Sequence, residues 1–291
     1  MKKTIISMAF ALIVTGVIAQ ETGGMTSKKG EAILPEADDW ALSIDAVPVL
    51  NYLGNILNGA TATNSSPAFG YPGTPLAITG KMFKDEKTAY RAMIRLGFGS
   101  TTMNNYVDDN VNTTDPTVMV SDSWKAAYNQ IVLGGGLEMR RGKTRLQGFY
   151  GGMLMFGIGG GKDTYTYGNA ITTTNKTPTS TVWTPTIIAG PATTRTLENK
   201  AGGSFMLGLR GFIGAEYFIF PKMSIGAEFG WGLGMSSTGE GEVKSETWDT
   251  VSNAVKATTA KTGKSGTFGL DTDVNGTQMI PAASLNLTLH F

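Results

Sequence analysis

Cysteine is absent from this 291-residue chain. That excludes a disulfide framework, a thiolate metal centre and lipid attachment through an N-terminal cysteine. Histidine occurs once, at His290, too sparse for most zinc sites and Ser-His-Asp constellations. Neither sign of charge is in excess, with 24 basic and 23 acidic residues, so the chain lacks the basic surplus that nucleic-acid binding needs, and nucleic acid is not an expected partner. Long apolar runs are missing too: beyond the N-terminus no window approaches 18 consecutive apolar residues, so any crossing of a membrane falls to strands. Proline is modest at 11, and the 39 glycines follow no collagen-like period; they recur inside apolar alternating runs, which points to strands that bend or pack closely.

The N-terminus has the three parts of a secretory signal peptide: Lys2 and Lys3, an apolar stretch from Ile5 to Ile18, and small residues at Gly16 and Ala19. The apolar stretch is shorter than the roughly 20 residues of a spanning helix. The reading is a signal peptide over 1–19, an N-terminal tail over 20–39 and one strand-built domain over 40–291.

A strand with one face in an apolar environment alternates its side chains with period two. The chain shows this eight times. Trp40, Leu42, Ile44 and Ala46 alternate with Ala41, Ser43 and Asp45; Leu76, Ile78 and Met82 with Thr79 and Lys81; and Tyr90, Ile94, Leu96 and Phe98 with Arg91, Met93 and Arg95. Leu133, Leu137 and Met139 oppose Glu138 and Arg140, and Leu146, Tyr150, Leu154, Phe156 and Ile158 oppose Gln147 and Gly151. Leu207, Leu209 and Ile213 oppose Arg210 and Glu216, Ile225, Phe229 and Trp231 oppose Glu228, and Leu285, Leu287 and Leu289 oppose Asn286, Thr288 and His290.

Connections between the runs alternate in length. Three are hairpin-sized, at Lys84–Lys87, Arg141–Thr144 and Phe220–Lys222, while the segments near 48–75, 100–123, 160–201 and 236–277 are long, polar and rich in Thr, Asn, Ser and Gly. Short turns at one end and long loops at the other predict an all-β fold: an eight-stranded antiparallel transmembrane up-and-down β-barrel with short periplasmic turns and four long, solvated extracellular loops. A soluble sandwich or jelly roll also alternates. The signal peptide, the loop asymmetry and an expected periplasmic girdle of Trp40, Phe83, Tyr90, Tyr217, Phe218, Phe220 and Phe291 favour the barrel.

The closing strand, with its alternating leucines and final Phe291, resembles the terminal signature of outer-membrane barrels. The segments Ile78–Phe83 with Thr88–Arg91, and Phe220–Glu228, resemble small barrel proteins of the Bacteroidota, with the architecture of the OmpA membrane domain and OmpX; Gln20 after the cleavage site fits that group. The resemblance implies an outer-membrane location, recognition of Phe291 by the barrel assembly machinery and contact with outer-membrane lipid. It covers the strands, about half the mature chain, and implies no particular activity.

Eight inward charges are expected to pair across a lumen only wide enough for side chains: Asp45, Lys81, Arg91, Arg95, Glu138, Arg210, Glu216 and Glu228. An ion-paired plug is the leading reading and a narrow gated channel for small solutes the alternative. Gly157–Lys162 and Thr262–Ser265 fail the phosphate-loop pattern, with Phe156 and Thr258 at the leading glycine position. Some eight-stranded barrels modify lipid A through a histidine near the outer rim, whereas His290 is one residue from the opposite end, so no enzyme, catalytic residue, cofactor or metal is expected. Asp108 and Asp109 read as solvated turn residues. In the long loops Tyr165, Tyr167, Trp183 and Trp248 are candidate contacts for an extracellular partner or glycan, or packing residues of the loops themselves. Asp249-Thr250-Val251 resembles the Bacteroidota acceptor pattern for O-linked glycans, on three residues only. The expected whole is a monomeric, non-catalytic surface barrel.

Overall fold

The computed structural model describes residues 25–57, 78–111, 115, 117–183, 187–272 and 284–291; the expected signal peptide lies outside them. In chain order the elements are β1 (Trp40–Asp45), helix α1 (Val47–Leu57), β2 (Ile78–Asp85), β3 (Thr88–Asp108), β4 (Met119–Arg141), β5 (Leu146–Thr166), β6 (Thr179–Val182), β7 (Ile188–Pro191), β8 (Thr194–Lys200), β9 (Ser204–Phe220), β10 (Met223–Thr238), β11 (Gly241–Asp249), β12 (Ala254–Thr262), β13 (Ser265–Thr272) and β14 (Ser284–His290). The fold is all-β and its strand pairs are antiparallel.

Eight of these strands form a ring. β1 pairs with β2 and the pairing continues through β3, β4, β5, β9 and β10 to β14, which pairs back onto β1. Following cross-strand partners from Ser43 through Thr79, Met93, Gly134, Met155 and Gly208 leads to Gly234 of β10. The opposite route, through Thr288, reaches the same strand at Ser224, ten residues away. Such a stagger accompanies the strand tilt that lets a sheet close on itself.

The expected eight strands are thus corrected to fourteen among the described residues. Each alternating run falls in a ring strand, apart from Ala46, one residue past β1, and Leu76, which lies outside the described residues; the three short turns stand where expected, but the long segments are not simply solvated loops. The 160–201 segment carries the end of β5, the β6–β7 hairpin and β8; the 236–277 segment carries β11, β12 and β13. Their Thr- and Val-rich stretches pair edge to edge and extend the ring into a taller sheet, ordered β3, β4, β5, β8, β11, β12. Of the 48–75 segment only the part up to Leu57 lies within the described residues, and it carries α1, whose start is capped by Asp45 Oδ1 accepting the Val47 N–H at 2.8 Å.

Strand breaks account for much of the count. β8 and β9, β10 and β11, and β12 and β13 are separated by Ala201–Gly203, Gly239–Glu240 and Gly263–Lys264. These breaks adjoin one another and Gly161 of β5: Ala201 N–H donates to Gly161 O and Gly239 N–H to Gly203 O, both at 2.9 Å, and Gly241 N–H donates to Thr262 Oγ1 at 3.0 Å. A Cβ on Gly202 would lie 1.9 Å from Gly239 O, so this approach of two backbones requires glycine. Both glycine motifs rejected as phosphate loops belong to this line of bends.

Inner and outer faces differ in kind. Apolar side chains such as Leu154 (57% exposed), Leu209 (56%), Ile94, Leu137, Ile213 and Trp231 stand exposed around the outside, whereas charged, aromatic and methionine side chains are buried within.

Candidate functional site

The ring interior is layered. At the turn end Phe83 and Phe218 are fully buried and flank His290, with ring centroids 5.6 and 5.1 Å from it. This corrects their expected place in the outer girdle: Phe83 shares the parity of Lys81, and Phe218 that of Glu216, so both turn inward. Trp40, Tyr90, Tyr217, Phe220 and Phe291 are exposed.

Next comes a buried ionic layer. Glu138, 0% exposed, lies 3.1 Å from Lys81 Nζ, 3.5 Å from Arg91 Nη1 and 2.7 Å from Arg140 Nη1. Arg140 spans to Glu216 at 2.6 Å, and Lys81 lies 3.8 Å from the same carboxylate. Arg91 pairs with Glu228 at 2.7 Å, and Arg210 binds the other oxygen of Glu228. Ser224 Oγ donates to Glu216 at 2.5 Å. Aromatic faces complete the cage, with the Arg91 guanidinium 4.2 Å from the Phe212 centroid and Lys81 Nζ 5.0 Å from that of Phe149. Burying either sign alone would cost several kcal/mol, so these groups hold one another in place.

Six of the eight expected lumenal charges meet here: Lys81, Arg91, Glu138, Arg210, Glu216 and Glu228. Asp45 is turned to the start of α1 instead, and Arg95 is half-buried on the inner face, beyond Met93. Arg140 is a partner the sequence reading missed, although its parity matches Glu138; one residue from a basic turn, it resembles the turn's own Arg141 and Lys143. The layer therefore holds four cations against three carboxylates, beside His290. A cavity of about 10 Å³ among Ser43, Lys81, Arg91, Glu216, Glu228 and Thr288 has room for roughly one water. A third layer, of Met93, Val132, Phe149, Met153, Met155 and Phe212, forms a buried apolar cluster.

Ser224, His290 and Glu216 meet, but not as a nucleophilic triad. Ser224 Oγ and Glu216 Oε1 both face Nε2 of the ring, at 3.3 and 3.5 Å. In a triad the carboxylate holds the other nitrogen.

Beyond the ring the taller sheet has its own buried core. Asp122, fully buried, accepts the Gly168 N–H at 2.8 Å and the Thr181 N–H at 2.7 Å. Asn169 donates to Asp108 O and Thr179 O, at 2.8 and 3.1 Å. Arg195 pairs with Glu246 at 2.6 Å, donates to Asn169 O and lies 4.4 Å from the Tyr167 ring centroid. Burial pushes the Tyr167 phenol up to about 12, despite the opposing Arg195 charge, so it stays protonated and donates to Thr196 O at 2.8 Å. Trp183 and Trp248 are only 7% and 8% exposed, and Tyr165 and Tyr167 are half-buried. Both tryptophans are thus largely enclosed in packing. Asp122, Asn169 and Arg195 carried no sequence signal, being single polar residues in Thr- and Asn-rich stretches.

Asp122→Ala removes two buried acceptors, a loss on the order of 1.5–3 kcal/mol. Amide exchange at Gly168 and Thr181 is expected to rise roughly ten- to hundredfold, with the ring amides unchanged, as read by hydrogen exchange.

No protein-family model, curated protein or solved structure matches this chain.

Proposed function

We propose that the chain is a monomeric, non-catalytic outer-membrane β-barrel of the small Bacteroidota type, exported by its signal peptide, with the short turns in the periplasm and the tall sheet outside the cell. The tall sheet binds an extracellular partner or glycan, or the protein serves the envelope structurally. One observation carries this reading: the ring is inside out for a protein in water, with an apolar outer face and a buried, ion-paired interior. The outward positions from Leu146 to Ile158 span thirteen residues; at ~3.3 Å per residue and the usual strand tilt they cover roughly 30 Å, the thickness of a hydrocarbon core.

Under this reading Phe291 is the assembly machinery's recognition point, and the ionic layer with its apolar neighbour closes the lumen. The cationic surplus of that layer favours a second reading, a narrow gated channel. Refolded protein, checked for its heat-sensitive mobility shift, is expected to leave a planar bilayer silent, with or without Arg95→Ala. Steady conductance that changes with Arg95→Ala would establish the channel instead.

A further inference from the structure

On the outer face of the tall sheet, just past the apolar belt, the strand register collects lysines. Lys162 of β5 stands directly opposite Lys200 of β8, Lys200 opposite Glu242 of β11, and Glu242 opposite Lys261 of β12. Two residues further along the strands, on the same face, Lys125 of β4 stands opposite Thr164, Thr164 opposite Glu198, and Glu198 opposite Lys244. All five lysines are exposed. The parity is that of the belt, since Lys162 lies four residues beyond outward-facing Ile158.

Five lysines here meet three carboxylates. Glu198 is shared, 2.8 Å from Lys162 and 3.2 Å from Lys244, and Lys261 reaches Glu240 at 3.4 Å. Lys162 and Lys200 face each other as a like-charged cross-strand pair; Glu198 balances Lys162, whereas no ion pair among the described residues includes Lys200. Four residues along a tilted strand raise Lys162 about 10 Å above Ile158, and its flexible stem brings the ammonium down into the headgroup layer.

We propose that this lysine patch binds the phosphate groups of anionic lipids in the leaflet around the sheet, on the β4 to β12 side of the ring. The inference rests on the membrane reading above. The patch draws its anion from a neighbouring lipid head, and the belt beneath it takes that lipid's acyl chains.

The test uses the full mature chain refolded into vesicles of phosphatidylcholine alone or doped with phosphorylated lipid A, with folding checked by heat-sensitive mobility. After mild detergent extraction, mass spectrometry counts the lipid A retained. Wild-type protein is expected to enrich lipid A over phosphatidylcholine. Lys162→Gln with Lys200→Gln is expected to lower that preference roughly tenfold, while Lys162→Arg with Lys200→Arg keeps it. Lys84→Gln with Lys87→Gln, at the turn end, is expected to change nothing. Equal retention by the glutamine variant and wild type, both folded and inserted, overturns the patch and leaves the membrane reading standing. Inorganic phosphate displacing lipid A outright would show a free-anion site and overturn the lipid proposal. Wild-type chain that folds yet stays outside the vesicles overturns the membrane reading itself, and this proposal with it.

Discussion

Glu138→Ala is expected to destabilise the ring by roughly 3–5 kcal/mol, the cost of leaving buried cations unpaired. Glu138 is the shared partner of Lys81, Arg91 and Arg140, and it has no exposure through which water could replace it. Its removal leaves four cations with two carboxylates in a space that holds about one water. Urea titration in detergent micelles, followed by the heat-sensitive mobility shift, reads the effect as a lowered midpoint. Lys81→Met added to Glu138→Ala should recover part of the loss, because it removes a charge left in excess. A stability loss below about 0.5 kcal/mol for Glu138→Ala would mean that the ionic layer is hydrated and contributes little.

The second large effect concerns the outer face. Leu209 stands 56% exposed near the middle of the belt on β9. If hydrocarbon surrounds it, Leu209→Arg costs about 2–4 kcal/mol. If water does, the same change falls within about 0.5 kcal/mol of neutral. Unfolding measured in lipid vesicles separates the two, and neutrality would overturn the membrane reading. The pair of substitutions is complementary: the first removes a charge from the inside, and the second adds one to the outside.

Much of the ring was legible because a period of two is a strong signal where one face is apolar and the other is charged. Tyr90 to Phe98 could be assigned to two faces without a structure, and six buried charges followed from the parity. The breaks at Gly202, Gly239 and Gly263 were not legible, since a glycine inside an alternating run reads equally as a bend, a bulge or a packing contact. What makes these three a line is the register between strands distant in sequence. β12 shows why the far sheet was missed: all nine of its residues, Ala254–Thr262, are exposed, so the strand has no apolar face to alternate. Arg140 was hidden by its neighbours, and Phe83 and Phe218 by the assumption that aromatics near a rim face outward. Helix α1 was legible and was missed: Val49, Tyr52, Leu53, Ile56 and Leu57 recur at helical spacing within a segment expected to be a loop.

The ring closes by pairing its first strand with its last. Ser43 and Thr288, hydrogen-bonded at 2.5 Å, are separated by 245 positions. Contacts of such separation form late, because the intervening chain must be gathered before they can be made. His290 and Thr288, which border the ionic layer, arrive only with this final strand. Until this strand pairs, the unclosed sheet presents its charged interior to water, and the meeting of two strands 245 positions apart is the step that encloses it.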